Sequence, residues 1–186
     1  MLVAFVACVV LATVPLAGGR LAALKQVELR RPWLPAAALA VQVLVITIIP
    51  GVLDGIHAPV HVATYALLAV FLWCNRRLPG LWLIAVGAAA NLGAIVANGG
   101  VMPASADALA AAGMPATLPG EYANSAVVQA PHLAWLGDVF AIPESWPLTN
   151  VFSIGDVLIA AGFALSVHVV CGSRLARLRA GATPAG

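Results

Sequence analysis

The sequence predicts an all-α membrane protein, a single domain of five transmembrane helices spanning residues 1–186, and three observations lead to this class. Hydrophobic residues make up 62% and charged residues 9% of the chain, against about 45–50% and about 25% in soluble domains. The apolar residues fall into five runs close to the roughly 20 residues that cross a bilayer core. All nine lysines and arginines follow the first, third and fifth runs.

The apolar runs define the expected helices in order. Run 2–17 has no basic residue before it, so we interpret it as a retained helix and not as a secretory signal. The remaining runs are 33–53, 58–74, 81–97 and 151–171. Since basic residues favour the cytoplasmic side of a membrane, their one-sided distribution predicts an exterior N-terminus and a cytoplasmic C-terminus.

The connection 98–150 is unlike the others, because it is long and contains no lysine or arginine. It is predicted to be an exterior loop that covers the outer ends of the helices. Ser105 is a suitable N-cap for a short helix that Gly113 would end. A second short helix is predicted over 132–141, where apolar residues recur at helical spacing.

Polar residues within the apolar runs are the candidate functional residues, because such groups are costly inside a bilayer. Asp156 lies near the start of the fifth run, Asn150 is a candidate N-cap before it, and Ser153 lies one turn earlier on nearly the same face. Asp156 either contributes to a site or hydrogen-bonds a neighbouring helix.

Four further polar side chains are candidates for binding or support. Asn91 and Asn98 are seven residues apart and share a helix face, His61 lies near the start of the third run, and Gln42 lies within the second. These residues either form one polar pocket or make independent interhelical hydrogen bonds. No metal-binding signature surrounds the histidines, so we expect no metal and no cofactor.

Two short motifs resemble those of an uncharacterised bacterial family of small polytopic membrane proteins. They are run 98–103, Asn-Gly-Gly-Val-Met-Pro, and run 153–156, Ser-Ile-Gly-Asp. The resemblance covers essentially the whole chain. It implies a multi-pass protein of the bacterial cytoplasmic membrane, and it implies no reaction.

A second resemblance, in layout, is to lipoprotein signal peptidase, a membrane aspartyl protease. Runs 136–140, Leu-Gly-Asp-Val-Phe, and 152–156, Phe-Ser-Ile-Gly-Asp, follow in the order of the two stretches that carry its catalytic aspartates. Run 87–92, Gly-Ala-Ala-Ala-Asn-Leu, is similar to a third stretch of that enzyme, although the Asp-Arg pair expected after it is missing. The resemblance implies that Asp138 and Asp156 form a catalytic pair.

Two function classes follow. The first is a membrane-embedded aspartyl-type hydrolase or peptidase in which one carboxyl of the Asp138 and Asp156 pair keeps its proton while the other activates water. The second is a non-catalytic membrane subunit or binding protein whose polar residues hold helices or a small ligand. The expected partners are membrane lipid and either a membrane protein or a lipid-linked substrate. A net charge of +2 gives no basic field for nucleic acid.

Overall fold

Within residues 2–44, 57–115 and 125–176, which the computed structural model describes, the chain forms α-helices, two short 3-10 helices and two small sheets. The α-helices are α1 (Leu2–Leu16), α2 (Trp33–Val43), α3 (His57–Cys74), α4 (Leu81–Ala97), α5 (Ala106–Ala111) and α6 (Ile154–Val170). The strands are β1 (Met102–Pro103), β2 (Ser125–Ala126), β3 (Asp138–Ile142) and β4 (Asn150–Ser153), and the 3-10 helices are Leu21–Gln26 and Ala134–Leu136.

The expectation of five transmembrane helices is wrong, since no helix of the described residues is both long enough and apolar enough to cross a membrane. Apolar run length overestimated the last of the predicted helices. Run 151–171 begins with strand β4, so α6 starts only at Ile154. In run 33–53, α2 ends at Val43, and residues 45–53 lie outside the described part of the chain. The predicted orientation, with the N-terminus outside and the C-terminus in the cytoplasm, depended on those spans and is therefore not supported.

The all-α class is also wrong, because segment 98–150 and its flanks contain strands. β1 and β2 are parallel, with Met102 opposite Ser125. β3 and β4 are antiparallel, with Asp138 opposite Ser153 and Phe140 opposite Phe152. Since β4 leads directly into α6, this register places Asp138 beside the first turn of α6.

The predicted short helices of segment 98–150 had different outcomes. The first is confirmed as α5: the Ser105 side chain accepts a hydrogen bond from the Ala108 N–H, and Gly113 adopts a left-handed conformation after the helix. The second is wrong. The predicted helix over 132–141 is a single 3-10 turn followed by β3, whose irregular pairing lies between Asp138 and Phe140.

Helices α4 and α6 pack closely, and glycines at two levels allow the approach. A Cβ atom on Gly155 would collide with Asn91 Oδ1 and lie 2.7 Å from the Gly87 carbonyl oxygen. A Cβ on Gly162 would lie 2.8 Å from the carbonyl oxygen of Gly80, the residue just before α4. The two helices are therefore antiparallel, with Gly87 facing Gly155 and Gly80 facing Gly162.

The opposite end of α6 packs against α1. Val10 and Val14 of α1 form a buried apolar cluster with Val167 and Cys171. Next to this cluster the buried His168 ring makes hydrogen bonds with Thr13 Oγ1 at 3.2 Å and with Ser173 Oγ at 2.8 Å. The C-terminal end of α6 is thus fixed to α1, and its N-terminal end is left to contact α4 and β3.

Candidate functional site

Asp156 lies in the first turn of α6, where it forms a capping box with Ser153. The Ser153 N–H donates to Asp156 Oδ2 at 3.0 Å, and the Asp156 N–H donates to Ser153 Oγ at 3.0 Å. Ser153, and not the expected Asn150, is therefore the N-cap. A carboxylate suits this position because it accepts from free N–H groups at the positive end of the helix dipole.

Asn91 of α4 connects this first turn to the neighbouring helix. Its side-chain amide donates to Asp156 Oδ1 at 2.9 Å, and its carbonyl oxygen accepts from Ser153 Oγ at 2.9 Å. Asn91 is 6% exposed and Ser153 is 0% exposed. Both Asp156 carboxylate oxygens thus accept hydrogen bonds, from a side-chain amide and from a backbone N–H.

Asp138 lies in the same region as Asn91 and Asp156. We call this region the polar cluster, and it consists of Tyr65, Asn91, Asp138, Ser153 and Asp156. Asp138 begins β3, is 6% exposed, and its Oδ2 accepts from Ser125 Oγ at 2.5 Å. Burial raises the pKa of Asp138, the hydrogen bond from Ser125 opposes this, and the negative charge of Asp156 adds to the rise.

Tyr65 of α3 completes the polar cluster. Burial, followed by the charges of Asp156 and Asp138, raises the pKa of Tyr65 to about 12. The phenol therefore stays protonated at neutral pH and is a hydrogen-bond donor. The carboxyl groups of β3 and α6 consequently act on the phenol of α3 in a partly water-excluded region.

His61 and Gln42, predicted as binding or support residues, lie on helices α3 and α2. The His61 ring stacks on Tyr65 with 5.7 Å between ring centroids, and burial lowers the pKa of His61. Gln42 Nε2 donates to Thr64 Oγ1 at 2.7 Å, and Thr64 Oγ1 donates to the His61 carbonyl at 2.6 Å. Gln42 therefore joins α2 to α3 through Thr64.

Asn98 is the C-cap of α4, and its side chain contacts both its own helix, through the Ala94 carbonyl oxygen at 2.7 Å, and another segment. Its amide donates to the carbonyl of His132 at 2.8 Å, and its side-chain oxygen accepts from the His132 N–H at 2.9 Å. Asn98 therefore holds the 3-10 segment against the end of α4, while Asn91, on the same helix, holds α6. The two predicted asparagines therefore bind different segments of the chain.

Sequence reasoning missed Ser125 and Thr64. Ser125 lies thirteen residues before Asp138, so helical or strand spacing gives no indication that the two side chains meet. Thr64 follows the helical spacing from His61 but was not distinguished from its apolar neighbours. In the described ranges, no three His, Cys, Asp or Glu side chains are grouped as metal ligands would be.

A second feature adjoins the polar cluster at Tyr65. An apolar groove with a volume of about 360 Å³ runs between α3 and α4. Tyr65 and Leu92 lie toward one end, and Trp73, Arg76 and Trp82 lie toward the other. The groove is lined by Tyr65, Leu68, Ala69, Leu72, Trp73, Arg76, Leu81, Trp82, Ala85, Ala88, Ala89 and Leu92.

The fold and the site together define a small, mainly helical protein with a buried polar cluster next to an apolar groove. The chain belongs to a family of unknown function, DUF5317, whose model matches residues 26–168. The match covers every residue of the polar cluster and of the groove. Searches of curated proteins and of solved structures found no match.

Proposed function

We propose that this protein is a non-catalytic binding protein for lipid at the bacterial cytoplasmic membrane, and that the α3–α4 groove holds the ligand. The observation that carries the proposal is the groove itself, whose described lining is almost entirely apolar. Small-molecule sites are typically concave, apolar pockets of about 300–1,000 Å³ with few polar groups. The ligand is thus expected to bind through its hydrocarbon part.

The polar cluster supports a binding protein because its hydrogen bonds are used to hold the fold. Asp156 accepts from Asn91 and from the Ser153 N–H, so α4 and α6 are fixed relative to each other. A rigid α4 gives one wall of the groove a fixed position. Such preorganisation lowers the cost of ordering on binding.

Exposed aromatic side chains support a membrane location. Trp73 and Trp82, both at the groove, are 69% and 54% exposed, and Trp33 is 62% exposed. Tryptophan favours the interface between water and lipid, and large exposed apolar surfaces commonly mark sites of protein or membrane contact. Lipid leaving such an interface would meet the groove directly.

Binding of diphenylhexatriene, an uncharged apolar probe that fluoresces in apolar surroundings, tests the proposal with the purified full-length chain. Ala69 is exposed and lines the groove, so Ala69→Trp should fill it and abolish the fluorescence increase. Ala66, exposed on the same helix but not part of the lining, provides the matched control Ala66→Trp. Equal binding by both variants would contradict a site in the groove.

An aspartyl-type hydrolase is the second candidate function, favoured by the unequal surroundings of Asp138 and Asp156. Burial and the charge of Asp156 raise the pKa of Asp138, which suits an acid, while Asp156 accepts hydrogen bonds that suit a carboxylate. This arrangement would fit the layout resemblance to lipoprotein signal peptidase.

A fluorogenic lipopeptide with a scissile amide bond tests the hydrolase. If Asp138→Asn and Asp156→Asn each abolish turnover in a folded protein, the hydrolase replaces the non-catalytic proposal. If the wild-type chain gives no turnover while binding diphenylhexatriene, the binding function stands. Circular dichroism of each variant reports whether it remains folded.

A further inference from the structure

The groove between α3 and α4 is chemically asymmetric along its length. Toward Tyr65 its lining consists of Leu68, Ala69, Ala88, Ala89 and Leu92. Toward the other end it includes the guanidinium of Arg76, the only charged group in the described lining. A ligand that matches this surface has an apolar part and one charged end.

The Arg76 side chain is held at the rim of the groove. Its Nη1 donates to the Trp73 carbonyl oxygen at 3.0 Å, and its Cζ lies 4.5 Å from the centroid of the Trp73 ring. A guanidinium has five N–H donors, so this contact leaves donors for an anion. Because the ring already fixes the side chain, binding an anion costs less side-chain entropy.

The dimensions favour a single chain. Tyr65 and Cys74, the last residue of α3, are nine residues apart, about 13.5 Å at a helical rise of about 1.5 Å per residue, and Arg76 lies two residues beyond. Four alanines, Ala69, Ala85, Ala88 and Ala89, leave room along the groove where larger side chains would fill it. A volume of about 360 Å³ lies at the low end of the range for small-molecule sites.

We propose that the groove binds a single-chain amphiphile with an anionic head group, its head at Arg76 and its tail extending toward Tyr65. This inference rests on the proposed lipid-binding function and specifies the ligand class. Carboxylate and phosphate both pair with two parallel guanidinium N–H groups, so either head group fits. Apolar contact with the leucines and alanines provides most of the attraction for the tail.

Titration with dodecanoate, followed by the tryptophan emission of the chain, to which Trp73 and Trp82 at the groove contribute, tests the proposal at concentrations below micelle formation. Dodecylamine and dodecanol carry the same tail with a cationic and an uncharged head. We expect dodecanoate to bind tightest. Arg76→Gln should weaken dodecanoate binding about tenfold or more, since a charge-assisted hydrogen bond is lost, and should leave dodecanol binding unchanged.

Arg77→Gln is the matched control, because Arg77 is the adjacent exposed arginine and does not line the groove. It should leave dodecanoate binding unchanged. An equal loss from Arg76→Gln and Arg77→Gln, or an equal affinity for dodecanoate and dodecylamine, would overturn the anionic head-group assignment.

The failure of this inference is distinct from the failure of the proposed function. If dodecanol and diphenylhexatriene bind and are blocked by Ala69→Trp, but dodecanoate has no advantage, lipid binding stands and the head-group assignment falls. If none of these probes binds, both proposals fall. If dodecanoate binds equally well to Ala69→Trp, its site lies elsewhere and the groove assignment is overturned.

Discussion

Replacing Gly155 by alanine should destabilise the protein strongly, because it adds a methyl group at one of the two close approaches between α4 and α6. The new Cβ would collide with Asn91 Oδ1 and lie 2.7 Å from the Gly87 carbonyl oxygen. Both are parts of a packed interface, and the Gly87 oxygen belongs to helix backbone. The helices must separate or Asn91 must move.

The magnitude follows from three contributions. Adding a methylene to a tightly packed interior costs about 1–3 kcal/mol. Movement of Asn91 also breaks its hydrogen bond to the Asp156 carboxylate, a charged interaction worth about 1.5–3 kcal/mol. Alanine returns up to about 1 kcal/mol of helix propensity. We therefore expect Gly155→Ala to lower the free energy of unfolding by roughly 1.5–5 kcal/mol.

Gly93→Ala provides the matched control on the opposing helix. Gly93 lies within α4, and a Cβ there has no atom outside its immediate backbone within 4 Å. This variant gains helix propensity without a clash, so its stability should rise by up to about 1 kcal/mol. Denaturant unfolding by circular dichroism measures both variants through the shift of the midpoint at constant slope.

The reasoning is refuted if Gly155→Ala is as stable as Gly93→Ala. That result would mean that α4 and α6 do not approach through Gly155. A lowered midpoint for both variants would instead mean that glycine is required for some other property of α4.

Three further predictions concern the polar cluster. Since the pKa of Asp138 is raised on folding, its contribution to stability is fully present below the unfolded pKa of about 3.9 and is lost as pH rises through the folded pKa. The melting temperature of Asp138→Asn, measured against pH, should lack this dependence. If the variant and the wild-type chain show the same dependence of melting temperature on pH, the raised pKa is contradicted. Tyr65, with a pKa of about 12, should ionise at a higher pH than a free tyrosine. In an absorbance titration, the transition that Tyr65→Phe removes should have its midpoint near pH 12 and not near pH 10. Its stabilisation should be lost as pH rises from about 10 towards 12, since the folded state retains the proton. Ser153→Ala should lower the free energy of unfolding by about 2 kcal/mol or slightly more, because it removes the N-cap of α6 and a hydrogen-bond partner of the buried Asn91 side chain. Ser105→Ala removes the longer 3.4 Å capping hydrogen bond of the short α5 and should lower the free energy of unfolding by less. A larger loss of stability from Ser105→Ala than from Ser153→Ala would contradict the assigned roles.

Helix positions were the most predictable part of the fold. The run 81–97 coincides with α4, and the run 58–74 differs from α3 by one residue at its start. The turn 75–80, with Gly80 at positive φ, separates the two helices where the sequence interrupts the apolar runs. The start of the run 151–171 was assigned to the helix although it belongs to β4. A short apolar strand directly before an apolar helix cannot be told from the helix by composition. Run length therefore overestimated that helix and the number of membrane spans.

The candidate site was partly predictable. Helical spacing placed Asn91 and Ser153 on faces that could meet Asp156, and the structure brings the three together. Asp138 reaches the same place for a different reason, through its pairing with Ser153 across β3 and β4. Apolar spacing at 133, 136 and 140 predicted a helix there, because these positions fit a helical face as well as a turn followed by a strand.

The glycine pairs between α4 and α6 also constrain how the chain can change in length. Gly80 and Gly87 are seven residues apart, as are Gly155 and Gly162, so both close approaches share one helical phase over nearly two turns. Inserting one residue between either pair rotates everything beyond it by about 100°, which replaces one glycine contact by a side chain while the other contact remains. We therefore expect single-residue insertions and deletions within 80–87 and 155–162 to destabilise the packing of α4 against α6.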